Sequence, residues 1–480
     1  MSRSVMKHQF NQVPTAKIPR SVFDLSHGHK TTFDGGYLVP FFLQEVLPAD
    51  SWKVNTNIFA RLATQLNPPM DNLRLTSFFF YVPYRLLWSN FTKMMGERDF
   101  VEDSIDYTIP TYNSALTVGT GNLMDYLGIP VGTDVQGLSV LPFRAYWLIF
   151  DEWFRSTQLQ DAADIHTSDT GQVLQNSTDY YWPSLARRGK RFDYFTQAAI
   201  APQVGEAIDL PLGTTADIKS DFTTGALSYY NETDGDYRQI TTSTTTASYT
   251  ATAGLEANKL YADLSTATAA TINQLRQSIA IQKILERDSR MGLRWTEILK
   301  ASYGVTVPDF RLQRPELLGI GTADINITPI PQTSESNTTK QASLASMGTV
   351  SGGRHGFSKS FVEHGLVMGI VCVDADLNYQ NGIDRHWLNT TRYDIYDPMF
   401  SGLGEQYIKK GELFYTGTIA TDNEAWGYVP YADHYRHARS KVTGLFNSNA
   451  ASSLDSWHLA EDFASLPPLN DEFIESDPPN

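Results

Sequence analysis

The sequence contains a single cysteine, Cys372, among its 480 residues. One thiol cannot form a disulfide within the chain, and a cysteine-rich metal site is excluded as well. Cys372 lies in the apolar run GLVMGIVCVDADL, which predicts a buried strand and an unreactive thiol.

Long apolar stretches are missing too. The most aromatic segment, MDNLRLTSFFFYVPYRLLW at residues 70–88, is interrupted by Asp71, Arg74 and Arg85, whereas a bilayer span needs about 20 mostly apolar residues. The first ten residues, MSRSVMKHQF, lack the apolar core of a signal peptide. We therefore expect no membrane span and a soluble chain that is made and used inside a cell.

Catalytic motifs are also absent, since HExxH, GxSxG and GxxxxGK[ST] do not occur. His27 and His29, two apart, could bind a metal from one strand face, but polar strand histidines are the commoner explanation. Asp374 and Asp376 are expected to be exposed, and a glycosidase pair is the less favoured interpretation. The glycine-rich segment at residues 347–359 lacks P-loop spacing, and predicts a flexible loop with a nucleic-acid or subunit role.

What is present is a core-forming composition, with 41% hydrophobic and 12% aromatic residues. Short apolar runs broken by Gly, Pro and Asn predict strands at residues 35–48, 52–63, 73–84, 364–377 and 411–420. Pro83 should end the third strand, or bring it to a sheet edge, near Val82. The long separations between strands indicate a β-sandwich with large insertions.

Two segments have helical periodicity. Residues 142–156 place aromatic side chains at three- and four-residue spacing, with Pro142 suited to the first turn. Residues 270–292 carry one apolar stripe, and Gly292 is the expected stop. The other face of this second helix carries the mixed charges Arg276, Lys283, Glu286 and Arg287. Mixed charges favour a solvated or intersubunit face over a nucleic-acid face.

Charge is unevenly distributed along the chain. The 53 acidic and 38 basic residues give a net charge of -15, which argues against a protein whose whole surface coats nucleic acid. A basic N-terminal arm, residues 1–30, begins with Arg3, Lys7, Lys17 and Arg20 before any acidic residue. An acidic C-terminal tail covers residues ~456–480. These ends indicate two different environments, although ordinary disordered termini would also explain them.

Two internal segments mix cations with aromatic residues. ARRGKRFDYF, residues 186–195, supplies cations followed by aromatics, the composition that a single-stranded nucleic-acid site requires: Arg187, Arg188, Lys190 and Arg191. YADHYRHARSKVTG, residues 431–444, interleaves Tyr435, Arg436, His437, Arg439 and Lys441. Subunit interfaces are also enriched in Arg and Tyr, so both interpretations stay open at this point.

Residues ~210–270 differ in character from the rest. TTSTTTASYTATAG, residues 241–254, is nearly all small or polar, and such a segment cannot supply its own large core. Thr and Tyr favour strands, so we expect a small β-rich protrusion. Its tyrosines are Tyr229, Tyr230, Tyr237, Tyr249 and Tyr261, and tyrosine suits recognition of a foreign surface. The alternative is that the segment is a solvated spacer without a partner.

Several motifs together resemble the major capsid protein of gokushovirus-type microviruses, which are single-stranded DNA bacteriophages. The resemblance is carried by IPRSVFDLSHGHKTTFDGGYLVPFFLQEVLP, MDNLRLTSFFFYVPYRLLW, KRFDYFTQAA, TINQLRQSIAIQKILERDSRMGLRWTEIL, VPDFRLQRPELLG, DIYDPMF, LGEQYI and SWHLAEDFASLPPLNDEFI. These run in the family's order over nearly the whole chain, apart from residues ~210–270. One departure is APQVGE, where Val204 stands at the lysine of the Pro-Gln-Lys-Gly motif that the family often has, and Glu206 follows Gly205.

The resemblance implies one mainly β domain over residues 1–480: a single eight-stranded jelly roll with long loop insertions and a few helices. It implies a structural protein, without enzyme activity or cofactors, that self-assembles into a T=1 icosahedral shell around circular single-stranded DNA. The implied partners are other copies, the genome, a small basic packaging protein, minor or pilot proteins and a bacterial receptor contacted by the insertion. The chain would be part of the virion, assembled in the host cytoplasm. The alternative is a β-sandwich glycosidase or lectin.

The genome contact is the least direct of these expectations. We predict that two groups of cations line the inner face of the shell. They are the arm residues Arg3, Lys7, Lys17 and Arg20 and the cluster Arg187, Arg188, Lys190 and Arg191. Phosphate neutralisation is independent of sequence and weakens with salt, so such residues would hold DNA without reading it.

Overall fold

The protein is described by a computed structural model. It describes residues 19–475 apart from residues 105, 114, 115, 176–179 and 339. Between residues 207 and 271 it describes only residue 208 and the backbone of five short strands.

The described strands run from the N-terminal third to the C-terminal third of the chain. They are β1 Val39–Val46, β2 Ser51–Arg61, β3 Leu73–Pro83, β4 Thr111–Tyr112, β5 Leu138–Ser139, β6 Asp217–Ser220, β7 Leu227–Asn231, β8 Asp236–Ser243, β9 Thr246–Ala251, β10 Leu260–Asp263, β11 Glu316–Asp324, β12 Asn326–Pro331, β13 Leu344–Ser360, β14 Gly365–Ala375, β15 Glu405–Lys409 and β16 Ala425–Pro430.

The described helices are mostly short. They are α1 Tyr84–Leu87, α2 Phe91–Met94, α3 Leu123–Tyr126, α4 Leu141–Ile149, α5 Ile272–Met291, α6 Trp295–Tyr303, α7 Asp309–Leu312, α8 Lys410–Leu413, α9 Ile419–Asp422 and α10 Asp471–Ile474.

Two antiparallel sheets face each other. The four-stranded sheet has the order β1-β14-β3-β11, and the three-stranded sheet has the order β12-β13-β2. Apolar side chains from both sheets form two buried clusters between them, one containing Leu75 and Val350 and the other containing Phe79 and Phe357. The protein is therefore mainly β, as predicted, with a sandwich of two sheets at its centre.

The central strand β3 is covered on both faces, which accounts for three consecutive phenylalanines. Side chains alternate between faces along a strand. Phe79 faces the three-stranded sheet, while Phe78 and Phe80 join a second layer on the opposite face. The strand ends at Pro83, as expected from the proline at this position.

The second layer is built around the aromatic helix α4. Its side chains pack on the outer face of the four-stranded sheet together with Trp88 and Leu123. The Tyr146 hydroxyl donates to the carbonyl of Leu38 at 2.7 Å, and Trp147 Nε1 donates to Trp182 at 3.0 Å. After Ile149 the helix widens into a π-helical turn, Phe150–Phe154. The helix predicted over residues 142–156 is confirmed.

Cys372 lies in this layer and has no exposed surface. Burial raises the pKa of its thiol to about 11, so the thiolate is rare at neutral pH. The prediction of a buried strand thiol is confirmed.

The C-terminal segment is packed into the fold as far as it is described. Phe473 of α10 is buried in a fourth apolar cluster with Tyr194, Phe195 and Val429. Glu461 forms an isolated parallel bridge with Tyr379. The last five residues, 476–480, lie outside the described residues.

Two predicted elements are wrong. Residues 411–420 form no strand: strand pairing stops at Lys409, and α8 and α9 follow. The carboxylate of Glu412 accepts a hydrogen bond from the Lys409 backbone amide at 2.9 Å, a contact of the capping-box kind that starts a helix.

The glycine-rich segment at residues 347–359 is not a flexible loop but most of strand β13. It pairs with β12 on one edge and with β2 on the other, with an irregularity between Gly352 and His355. A Cβ added at Gly356 would collide with the carbonyl oxygen of Val54, so glycine here permits close approach of two backbones.

The other predicted elements are confirmed, including the helix α5, which ends at Met291 before Gly292 with a φ of +87°. The strands expected within residues ~210–270 are also found. They form a three-stranded sheet, β7-β8-β9, and a two-stranded sheet, β10-β6.

Candidate nucleic-acid interface

The basic cluster, defined as Arg187, Arg188, Lys190 and Arg191, lies on an extended segment that is held on both sides. The Leu38 amide donates to Ala186 at 3.0 Å and the Arg188 amide donates to Gly36 at 2.8 Å. On the other side, the Lys190 amide donates to Ile474 at 2.6 Å. The segment thus ties the start of the first sheet to the C-terminal helix.

Ion pairs within the chain engage Arg188, Lys190 and Arg191. Arg188 Nη1 lies 3.3 Å from Asp374 Oδ1, Arg191 Nη1 lies 2.6 Å from Asp376 Oδ1, and Lys190 Nζ lies 2.6 Å from Glu461 Oε1. The prediction that Asp374 is exposed is wrong, because its side chain is 9% exposed. These pairs reduce the positive charge that the cluster presents to solvent.

Aromatic rings pack against the same cations. The guanidinium of Arg187 lies 5.6 Å from the ring centre of Tyr37, and the ammonium of Lys190 lies 5.0 Å from that of Phe473. Of the three aromatic residues that follow the cluster in sequence, Tyr194 and Phe195 are buried and so are not available for base stacking. Phe192 is the exposed ring of this segment, at 81%.

Arg187 also lines an open cavity of about 640 Å³. Six of its fifteen lining residues are aromatic: Tyr37, Tyr126, Trp147, Phe150, Tyr180 and Tyr181. A cavity of this volume falls within the range of small-molecule sites. Only the fold assembles it, because its walls come from five separate stretches of sequence.

The described part of the arm, residues 19–30, is exposed and has no regular secondary structure. Arg20 Nη1 donates to the carbonyl of Ala49 at 2.8 Å, whereas Arg3, Lys7 and Lys17 lie outside the described residues. His27 stacks on Phe42, with ring centres 5.9 Å apart. Among the residues that the structure describes, no group of three or more His, Cys, Asp or Glu side chains is arranged to hold a metal ion.

The second cation-rich segment, residues 431–444, is divided between interior and surface. His437 stacks on Tyr194 at 5.0 Å, and Arg439 Nη1 donates to the carbonyl of Glu412 at 3.2 Å. Tyr435 and Arg436 instead project from the surface.

Comparison with known proteins decides the family. The model of the capsid protein (F protein) family matches residues 11–480. The chain belongs to this family. It is 42% identical to capsid protein VP1 of Bdellovibrio phage phiMH2K, over 98% of this chain and 91% of that protein. It is also 36% identical to capsid protein VP1 of Chlamydia phage 1 (99% and 92% covered) and 29% identical to that of Spiroplasma virus 4 (98% and 90% covered).

The chain is therefore a bacteriophage capsid protein, a structural component of the virion and not an enzyme. The glycosidase or lectin alternative loses its support. Both carboxylates on which it rested are in ion pairs, Asp374 with Arg188 and Asp376 with Arg191 and Arg74.

Two further expectations concern membranes and the host. None of the helices in the described part of the capsid protein has the length and apolar character needed to cross a bilayer. The tyrosines of the insertion lie on its short strands, where Tyr230 of β7 is the register partner of Tyr237 of β8. Their side chains lie outside what the structure describes.

Proposed function

We propose that this capsid protein assembles with copies of itself into a small icosahedral shell of the T=1 type that encloses a circular single-stranded DNA genome. The observation that carries the proposal is the family match over residues 11–480. The two facing antiparallel sheets are compatible with an eight-stranded jelly roll, which is the shell-forming fold that we propose for it.

Exposed apolar side chains support assembly. The surface of the described residues carries large aromatic and aliphatic groups, including Phe59, Trp295, Trp387 and Met399. Aromatic and methionine side chains are enriched at protein–protein interfaces. Subunit contacts would cover it.

The test is to express the chain and to separate the products by size. We expect uniform megadalton particles whose icosahedral symmetry is visible by electron microscopy and whose single-stranded DNA resists nuclease. A chain that stays monomeric at all concentrations, and protects no DNA in infected cells, would contradict the proposal.

For the genome contact we propose the arm residues Arg3, Lys7, Lys17 and Arg20 and the cluster Arg187–Arg191. The ion pairs of Arg188, Lys190 and Arg191 leave the cluster with less charge for phosphates, so the arm should contribute more. A chain with a net charge of -15 cannot neutralise a genome alone. We therefore also propose a small basic packaging protein and counterions as partners, alongside minor or pilot proteins.

Substitution of Lys7 and Lys17 by Gln separates these contributions from Arg187→Gln. Because each phosphate contact releases counterions, the arm variant should retain less DNA per particle than the parent at a given salt concentration, and its retention should depend less steeply on added salt. Arg187→Gln should have a smaller effect. Lys93→Gln, at an exposed position distant in sequence from both, is the matched control. Unchanged DNA retention in both test variants would contradict the assignment.

A further inference from the structure

A patch of exposed aromatic and apolar side chains lies where residues 392–400 meet residues 431–436. Tyr396 and Tyr435 have ring centres 6.1 Å apart, and Tyr393 contacts Phe400 at 6.2 Å. Tyr393 is 68% exposed and Met399 is 88% exposed. We define the aromatic patch as Tyr393, Tyr396, Met399 and Tyr435 with the cations Arg392 and Arg436.

The patch is held in place before any partner arrives. The short helical turn at residues 398–402 is capped by Asp397, whose Oδ1 accepts from the Met399 amide at 2.9 Å. The Tyr435 hydroxyl accepts from the Tyr396 amide at 3.3 Å. A surface that is ordered beforehand loses less conformational entropy when it binds.

The composition of the patch fits a protein partner better than DNA. Tyr, Met and Arg are enriched at protein interfaces, and Tyr and Arg are frequent among the residues that supply most of the binding energy. Exposed aliphatic side chains beside the rings, Ile395 and Leu403, add apolar area that base stacking does not need. The two patch cations also call for a partner with acidic groups.

The same chain carries a surface of the complementary kind. The acidic loop, residues 97–104, has four acidic residues and one basic residue. At its tip Phe100 is 75% exposed and Val101 is 88% exposed. Asp103 fixes the loop by accepting from the backbone amides of Asp99 and Phe100 at 3.1 and 2.8 Å.

We propose that the acidic loop of one copy docks on the aromatic patch of a second copy. Phe100 and Val101 would pack among the tyrosines and Met399, while Asp99 and Glu102 would face Arg392 and Arg436. Loop and patch are both exposed in one chain, so neither covers the other. A contact between two different surfaces of identical chains is heterologous, and such contacts close into rings when the rotation between copies permits it.

This inference rests on the proposed assembly, and a charge exchange tests it separately. The loop variant is Asp99→Lys with Glu102→Lys, and Asp103 is kept because it holds the loop. The patch variant is Arg392→Glu with Arg436→Glu. Arg436 pairs with Asp433 at 3.2 Å on the surface, and exposed pairs of this kind contribute little to folding.

Each variant alone should reduce particle yield by about tenfold or more, because like charges then meet across the contact. The chain that carries both pairs of substitutions should recover most of the parent's yield. Glu335→Lys, an exposed acidic position elsewhere, should assemble like the parent. Thermal unfolding of the unassembled subunits checks that all variants are folded.

The outcomes separate the two proposals. A parent chain that forms no particles contradicts the assembly proposal itself. If the parent assembles, two results contradict the docking of the acidic loop on the aromatic patch. One is normal particle yield from either variant alone, and the other is a combined variant that does not recover the parent's particle yield.

Discussion

Arg144 is a charged side chain with no exposed surface. Its guanidinium donates to the backbone carbonyls of Leu87, Ser168, Thr170 and Gln172 at distances from 2.6 to 3.2 Å. Burial lowers the pKa of Arg144 to about 10, so it stays charged at neutral pH. The side chain therefore joins helix α4 to the loop at residues 168–172.

Replacement of Arg144 by Met should lower the free energy of unfolding by about 3 kcal/mol or more, because four buried carbonyl groups would lose their donor. Urea unfolding of the unassembled subunit measures the change. Arg311→Met, at an exposed position, is the matched control and should change stability by less than about 0.5 kcal/mol. Equal losses in the two variants would show that the buried hydrogen bonds do not matter.

At the scale of elements, strand β3 differs from β2 in how it is covered. Phe79 of β3 has no exposed surface, whereas Phe59 of β2 is 79% exposed. Phe79→Ala should lower the free energy of unfolding by about 3–5 kcal/mol, the range for deleting a buried ring. Phe59→Ala should leave subunit stability nearly unchanged, as measured by the same unfolding experiment. A large loss for Phe59→Ala would mean that the outer face of the β2 sheet is covered within the subunit.

Helix α5 is attached to the β15–β16 hairpin through one buried carboxylate. Arg290 Nε lies 3.1 Å from Glu405 Oε1. Burial raises the pKa of Glu405 to about 7, Arg290 opposes the rise and Glu286 adds to it. The folded protein thus holds this proton more tightly than the unfolded chain does.

Stability should therefore fall as the pH rises from about 4.5 to about 7, because over this range the folded state binds more protons at Glu405 than the unfolded state. Glu405→Gln should remove that component. The measurement is the free energy of unfolding at pH 5 and at pH 7.5. The parent should lose more stability than the variant between these two pH values. Glu424 is an exposed carboxylate, so Glu424→Gln should keep the pH dependence of the parent. The same pH dependence in Glu405→Gln as in the parent would show that Glu405 is not the group responsible.

At the scale of the whole molecule, the segment from residues 214 to 264 is the proposed host-contact insertion. Its ends join the rest of the chain near β6 and β10, which pair with each other. Loop closure entropy grows slowly with length, by about 0.6 kcal/mol per doubling. A short connection should therefore replace the insertion without unfolding the two main sheets.

The deletion variant carries a Gly-Ser linker in place of residues 214–264. We expect this variant to fold and to lose adsorption to its host. Its particle yield should fall if copies touch through the insertion. Particle yield and adsorption are measured side by side. A variant in which only Tyr229, Tyr230, Tyr237, Tyr249 and Tyr261 become Ser is the narrower test. Particles of both variants that adsorb like the parent would show that host recognition lies elsewhere.

Local patterns were sufficient where one short stretch decides its own structure. The run of three phenylalanines predicted a strand, the spacing of aromatics predicted helix α4, and Gly292 marked the end of α5. In each case the deciding interaction is between near neighbours, or is the burial of a repeating apolar face. The order of the family motifs, which is also a property of sequence, predicted the capsid family.

Only the tertiary structure decided which groups neutralise one another. Arg188 and Arg191 meet Asp374 and Asp376, which are nearly two hundred positions away, and no local pattern marks such partners. The glycines of residues 347–359 became strand because β2 and β12 pair with both edges of β13. Sequence by itself thus determined the strand-rich sandwich and the family, because these depend on repeated local burial. The charge of the basic cluster and the form of the glycine-rich segment depend on contacts between distant residues, which exist only once the chain has folded.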